Sequence, residues 1–237
     1  MSNRKGQRDA ARVVRQQLAR ERRRKRTFWI STAAVVVLII AGLVGWSVWS
    51  GQRSDHFTTP PGANADGTGI AAGGGPVTVD VYEDFQCPVC KQFEQTTGVT
   101  LAQLVADNKA KVVYHPVAYL NRFSTTEYST RSSAASGCAA AGGKFRDYAK
   151  ALFDQQPPEG SAGLPDDQLI DIGVGVGLDR GSFGGCVKDK TYRTWVEHVT
   201  DEASRSNVTG TPTVLVNGQP LADRSPQGLT SAVAAAG

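Results

Sequence analysis

Cys87-Pro88-Val89-Cys90 is the stretch of this sequence best equipped for chemistry. Two thiols separated by two residues can interconvert between a dithiol and a small disulfide ring. That exchange works when the motif follows a strand and opens a helix. The first sulfur then lies at the helix N-terminus, where unpaired N–H groups and the positive end of the dipole favour its thiolate. The thiolate attacks a disulfide, and the second cysteine closes the ring. The sequence supplies this setting. Val77–Phe85 alternates through Val77, Val79 and Val81 and runs into Phe85, which predicts a strand. Pro88 follows at a first helical position. A helix to about Asp107 is predicted, with Phe93, Leu101, Leu104 and Val105 as its apolar positions. Cys87 is the expected exposed nucleophile and Cys90, one turn inside, the more buried resolving thiol.

A zinc half-site is the competing chemistry for a Cys-x-x-Cys pair. A structural zinc needs four ligands, usually as two close pairs. Cys138 and Cys186 stand 48 residues apart with no Cys or His close to either, and His56, His115 and His198 are scattered. No metal is expected. Four cysteines allow three pairings into two disulfides, and the residues alone leave all three open. Gly173-Val-Gly-Val-Gly177 lacks a preceding strand and the dinucleotide-binding spacing, so it reads as a closely packed glycine-rich helix. Asn207-Val208-Thr209 fits a glycosylation sequon, a pattern short enough to arise by chance. His198, with Trp195 and Glu197 on a helical stretch, reads as a core or surface residue rather than a catalytic one.

Several elements must hold the cysteine pair. Lys111–Leu120 is a second predicted strand, which makes residues 76–120 a strand–helix–strand unit suited to parallel pairing. Residues 125–206 look helical, in runs broken by Pro157-Pro158-Glu159-Gly160 and weakened by Gly173, Gly175 and Gly177. Thr213–Asn217 is a third strand, Asn217-Gly218 a hairpin turn, and Gln219–Ala222 its partner. Ser225-Pro226 opens a last helix. The expected fold class is α/β, one mixed sheet interrupted by a helical insertion at about 121–190.

The N-terminal quarter has a different character. Residues 1–26 carry eleven Lys and Arg against two acids, while the remainder nets −5 within an overall charge of +4. Residues 28–49 contain no charge, and 22 helical residues would reach about 33 Å, enough for a bilayer core of about 30 Å. Trp29 stands at one end, with Trp46 and Trp49 at the other. The run is longer than a signal-peptide core and lacks a small-x-small cleavage site. The expected organisation is a basic cytoplasmic tail (1–27), a transmembrane helix (28–49), a flexible Gly/Ala/Pro-rich linker (50–75) and a folded domain (76–237). The basic flank Arg22–Arg26 orients the N-terminus to the cytoplasm and the domain outward, where disulfides persist. The tail is read as a topology signal against anionic lipid, with no nucleic-acid partner.

Asp84-Phe85-Gln86-Cys87-Pro88-Val89-Cys90 resembles the active-site signature of DsbA-like thiol–disulfide oxidoreductases. Gly210-Thr211-Pro212-Thr213 is similar to the cis-proline loop of that family, and the segments 138–156 and 177–186 to its helical insertion. The resemblance spans about 76–237. It implies a thioredoxin fold with an inserted helical domain, a cis bond before Pro212, and substrate backbone binding beside Thr211. Pro88, Val89, Thr211 and Pro212 would support the two catalytic cysteines. The resemblance also implies a structural Cys138–Cys186 disulfide. Thioredoxin-like proteins often carry a buried acid six residues before the first cysteine, but here that position is Val81. Asp80, Glu83 and Asp84 are near, and Glu83 is the candidate proton carrier. Strong oxidants of the family have His between the cysteines. Val89 replaces it, which implies a pair less oxidising than theirs and more oxidising than thioredoxin's.

The expected function is oxidation of cysteine thiols in exported proteins, with recharging by a quinone-linked membrane thiol oxidase that the resemblance implies. No cofactor is expected. A reductase or isomerase kept reduced by a membrane electron carrier is the alternative within the same chemistry. A redox-inert tethered binding protein is the alternative of another class, marked by a Cys87 pKa near about 8.5 and two buried sulfurs.

Overall fold

Alternation over 77–83 puts Val77, Val79, Val81 and Glu83 on one buried face of a strand, and that strand becomes the centre of the sheet. The computed structural model describes residues 57–237 and, before them, Gly42 alone. The expected tail (1–27), the rest of the apolar span (28–49) and residues 50–56 lie outside the described residues. Among the described residues no helix is long and apolar enough to cross a membrane.

Five strands pair in the order β1-β3-β2-β4-β5. They are β1 (Ile70–Ala72), β2 (Val77–Glu83), β3 (Ala110–Pro116), β4 (Thr213–Val216) and β5 (Gln219–Pro220). Helix α1 (Pro88–Ala106) crosses from β2 to β3, which run parallel with Val77 opposite Ala110 and Glu83 opposite Pro116. β4 lies antiparallel on the other side of β2, with Tyr82 opposite Thr213. Asn217 and Gly218 turn β4 into β5 with φ of 46° and 77°, as a tight hairpin requires. The last helix, α7 (Pro226–Ala236), is capped as expected: the Ser225 hydroxyl oxygen accepts from the Gly228 N–H at 3.1 Å.

Between β3 and β4 the chain forms the 3-10 turn Asn121–Phe123, then α2 (Tyr128–Ala141), α3 (Phe145–Asp154), α4 (Asp166–Gly175), α5 (Arg180–Lys188) and α6 (Arg193–Arg205). The Ala/Ser-rich α2 is buried nearly all round. Its small side chains let the other helices close on it, and Ser132 and Ser136 return their hydroxyls to Tyr128 O and Ser133 O at 2.7 Å. Cys138 on α2 is bonded to Cys186 on α5. Gly173 abuts Phe183, where a β-carbon would lie 2.1 Å from the ring, so that glycine serves close helix packing.

The linker reading of 50–75 is corrected for residues 57–75, and the folded unit already includes Phe57 rather than beginning at Pro76. The segment supplies β1, which pairs antiparallel with β3. Ring nitrogens grip three consecutive carbonyls: His198 Nε2 lies 3.3 Å from Asp66 O, Trp195 Nε1 donates to Gly67 O at 2.7 Å, and His115 Nδ1 lies 2.7 Å from Thr68 O. Phe57 stacks on His198 with centroids 3.9 Å apart. The glycines that suggested flexibility instead allow close approach. A β-carbon on Gly69 would meet Tyr114 O at 2.7 Å, and one on Gly75 would meet Ala110 N at 2.4 Å. A fragment starting at Pro76 strips Trp195 and His115 of these acceptors and uncovers the β3 edge. Relative to a fragment starting at Phe57 it is expected to lose on the order of 3 kcal/mol in urea unfolding. Equal midpoints would restore the linker reading.

Candidate active site

β2 ends at Glu83, and a three-residue turn delivers Cys87 to the mouth of α1. Cys87 is the N-cap, with extended φ −80° and ψ 117°, and Pro88 follows where its missing N–H costs nothing. The Cys87 N–H donates to Asp84 O at 2.9 Å, and Cys87 O accepts from Cys90 and Lys91 in the first helical turn. The register that sets Tyr82 opposite Thr213 also carries the residues before β4 up beside the cysteines. Thr211-Pro212 is a cis peptide there, as expected, and the Cys87 thiol donates to Thr211 O across 3.4 Å.

Both cysteines are free thiols. Cys90 is 1 % exposed and Cys87 6 %, so the order of exposure is as expected. The expectation of an exposed nucleophile is corrected: Cys87 is buried but for a narrow window to solvent, with Thr211 O against its sulfur. Their acidities diverge. The Cys87 pKa is lowered to about 6, chiefly because the Cys90 thiol donates to it, against burial. Thr211 and the N–H groups of Cys90 and Val89 add to the lowering. Cys90 is pushed well above the ordinary thiol value by burial and by the Cys87 charge. One sulfur is therefore a ready thiolate at neutral pH and its neighbour holds its proton. Of the two marks of an inert pair, burial is met and an ordinary thiol acidity is not. Val89 contributes through its N–H, so the loss of a side-chain donor between the cysteines is partly offset. Cys138 and Cys186, spent on each other, leave no four-thiol set for zinc.

Three acids precede the motif, and their sequence spacing did not say which face the interior. Glu83 shares the buried face with Val81, two residues nearer the catalytic turn, and is 2 % exposed. Burial raises its pKa to about 8; the Arg146 charge opposes the rise and Glu94 adds to it. Its Oε1 has no partner. Arg146 Nη2 binds Glu94 Oε1 at 2.7 Å and the guanidinium lies 4.0 Å over the Tyr114 ring. Glu94 stands one turn beyond Cys90 on α1, so a partly buried charge cluster underlies the catalytic helix. Asp80 faces away, toward His115 at 3.0 Å.

Because the folded pKa of Glu83 lies above its unfolded value of 4.5, the folded state binds the extra proton between pH 4.5 and about 8. Stability is then lost as pH rises through that window. Glu83→Gln is expected to flatten this decline and to raise the denaturant midpoint at pH 8. An unchanged pH profile would show that Glu83 is ionised throughout.

Four site residues were given no role of their own by the sequence reading. Asp84, one of the three acids near the motif, is fully buried and anchors the turn. Ser129 on α2 donates to Asp84 Oδ1 at 2.7 Å. Gln156, just beyond α3, donates its amide to Phe85 O at 2.9 Å and Cys87 O at 3.0 Å. Gln86 is buried against Ser129 at 3.3 Å. The only signal was position, three residues before Cys87 for Asp84. Nothing local marks Ser129 or Gln156.

The family model described as thioredoxin matches residues 68–235. The oxidised DsbA of Mycobacterium tuberculosis is 31% identical, with a TM-score of 0.62 over 70% of this chain and 90% of that one. The reduced disulfide bond oxidoreductase DsbG of the same organism is 31% identical, with a TM-score of 0.61 over 73% of this chain and 84% of that one. MdbA of Actinomyces oris, a thiol–disulfide oxidoreductase, shares the fold at 21% identity and a TM-score of 0.62, over 77% of this chain and 92% of that one. A curated relative, the serine/threonine-protein kinase PknE of Mycobacterium tuberculosis, is 31% identical over 160 residues, which is 63% of this chain. The match spans only 28% of that kinase's length.

Proposed function

This chain belongs to the thioredoxin family as a DsbA-like thiol–disulfide oxidoreductase, and from that premise we propose that it donates disulfides to exported proteins through Cys87 and Cys90. The observation that supports this direction is the placement of the Cys87 sulfur at the mouth of α1, against Thr211 and the first N–H groups of the helix, which lowers its pKa. A sulfur lowered to about 6 is stabilised in the reduced protein, which makes the disulfide the more oxidising state. A substrate thiolate attacks Cys87 Sγ and breaks the Cys87–Cys90 bond. Cys90 departs and takes a proton, held there by its raised pKa. A second substrate thiolate then attacks the substrate sulfur of the mixed disulfide. Cys87 leaves as the stable thiolate. Two electrons have passed from substrate to protein, one proton rests on Cys90 and the other goes to solvent.

The supporting roles follow from position. Thr211 and Pro212 present a backbone edge for the substrate chain beside Cys87. Glu83, protonated at neutral pH, is the acid available to the buried thiol. The charge-free span 28–49 and its basic flank argue for a single-pass anchor with the domain outside the membrane. A quinone-linked membrane oxidase would recharge the pair.

The test is the reduction potential of Cys87–Cys90 in the full-length protein in detergent, equilibrated with glutathione buffers. A value above about −200 mV is expected for a disulfide donor. A value near about −270 mV would overturn the oxidase reading in favour of a reductase or isomerase.

A further inference from the structure

The turn between β2 and α1 holds a buried carboxylate that the exchange steps above leave unused. Asp84 Oδ1 accepts from the Gln86 N–H at 2.9 Å and from the Ser129 hydroxyl at 2.7 Å. Its Oδ2 accepts from the Leu120 N–H at 2.9 Å, and its main-chain carbonyl accepts from the Cys87 N–H. One side chain thus joins the redox turn, the exit from β3 and the first turn of α2. All three donors are neutral, so the carboxylate is held by dipoles without a counterion.

The ionisable groups around it are few. Cys87 and Cys90 lie on the α1 side, and Tyr128 lies on α2, its hydroxyl buried and feeling the Asp84 charge. Arg131, farther along α2, is engaged by Asp166, Thr126 and Leu164. Glu83 belongs to the separate cluster with Glu94 and Arg146.

We propose that Asp84 is the positioning residue that sets the redox poise of Cys87, by fixing a negative charge in the turn that carries the sulfur and tying that turn to the helical insertion through Ser129. The proposal rests on Cys87–Cys90 being the exchanging pair. In the oxidised protein the sulfurs carry no charge, and burial alone opposes ionisation of the carboxylate. Reduction by two electrons breaks the S–S bond, leaves a thiolate on Cys87 and puts one proton on Cys90. The thiolate and the carboxylate then repel each other where water does not screen them. Asp84 thereby limits how far the reduced state is stabilised and keeps the pair from being a stronger oxidant. Burial pushes Asp84 to about 6 and Cys87 adds to that rise, so the two groups titrate in one range as a coupled pair.

A purely structural knot predicts the opposite sign. Loosening the turn would misalign the N–H donors at the head of α1 and raise the thiolate pKa. The experiment compares Asp84→Asn with Gln156→Ala in the full-length protein. Gln156→Ala removes two bonds to the same turn and no charge. Thiolate ultraviolet absorbance should show the Cys87 titration lowered by about one unit in Asp84→Asn. The glutathione equilibrium should shift roughly tenfold toward the reduced pair, about 30 mV. Gln156→Ala, which loosens the turn but removes no charge, should not lower the Cys87 titration or shift the equilibrium toward the reduced pair. A Cys87 titration unchanged or raised in Asp84→Asn overturns the proposal, as does an equal lowering in Gln156→Ala. Should Asp84→Asn fail to fold, the carboxyl carbon of Asp84 is followed by NMR in the unmodified protein in both redox states. It should titrate at higher pH when Cys87–Cys90 is reduced, and identical titrations overturn the proposal. Failure of the unmodified protein to exchange with glutathione would sink the redox reading itself, and this proposal with it.

Discussion

Cys87→Ala is expected to cut the oxidation of a reduced cysteine peptide by oxidised glutathione at pH 7 at least about a hundredfold, whereas Cys90→Ala is expected to accumulate a mixed disulfide of Cys87 with glutathione, formed as the Cys87 thiolate displaces one glutathione thiolate. The asymmetry follows from the two sulfurs' surroundings. Cys87 has the window to solvent and the lowered pKa, so it receives the substrate sulfur and departs easily. Cys90 is sealed off and its pKa lies well above 9.0, which leaves under about one per cent thiolate at neutral pH. It cannot substitute for Cys87. It can attack from inside once a mixed disulfide has formed, because the first turn of α1 holds it against Cys87. Mass spectrometry after acid quenching reads the trapped species. Equal inactivity of both variants with no adduct would mean that disulfide exchange does not run through Cys87.

The second large effect lies away from the site. Replacing Cys138 and Cys186 together by alanine is expected to cost on the order of 4 kcal/mol in urea unfolding, the chain entropy of a loop closed over 48 residues. The bond links α2 to α5, two helices of the insertion that also pack on each other directly. The fold should therefore persist and the Cys87–Cys90 potential should move little. A matching loss of potential would show that the insertion governs the redox turn more rigidly than its contacts at Ser129 and Gln156 imply. A cost below about 1 kcal/mol would mean that the unfolded chain is already compact around this pair.

How much could be read in advance depended on how local each cause was. The strand 77–83, the helix from Pro88, the Asn217-Gly218 turn and the Ser225 cap all follow from neighbouring residues: side-chain alternation, a missing N–H, left-handed backbone and a hydroxyl within reach. The cysteine pair belongs to this class, since its acidity arises at one helix mouth. The pairing of Cys138 with Cys186 does not, because residue spacing left three pairings open, and packing α5 on α2 brings those two sulfurs together.

The acids show the boundary most clearly. Alternation places Val81 and Glu83 on one face, but it does not say whether that face meets Arg146 or water; helix α3 decides that from more than 60 positions away. Asp84 follows the strand's end, where alternation stops, and it becomes a buried anchor because Leu120 and Ser129 bring donors to it. Residues 57–75 failed a local test of order for the same reason. Their carbonyls are satisfied by rings at 115, 195 and 198, and their glycines are spaces left for β3. Local backbone geometry and side-chain chemistry are written residue by residue, so the motif and its elements were open to reading. Burial and hydrogen-bond partnership depend on which distant segments arrive, so the buried acids, the narrow window on Cys87 and the ordered N-terminal strap existed only once the chain had folded.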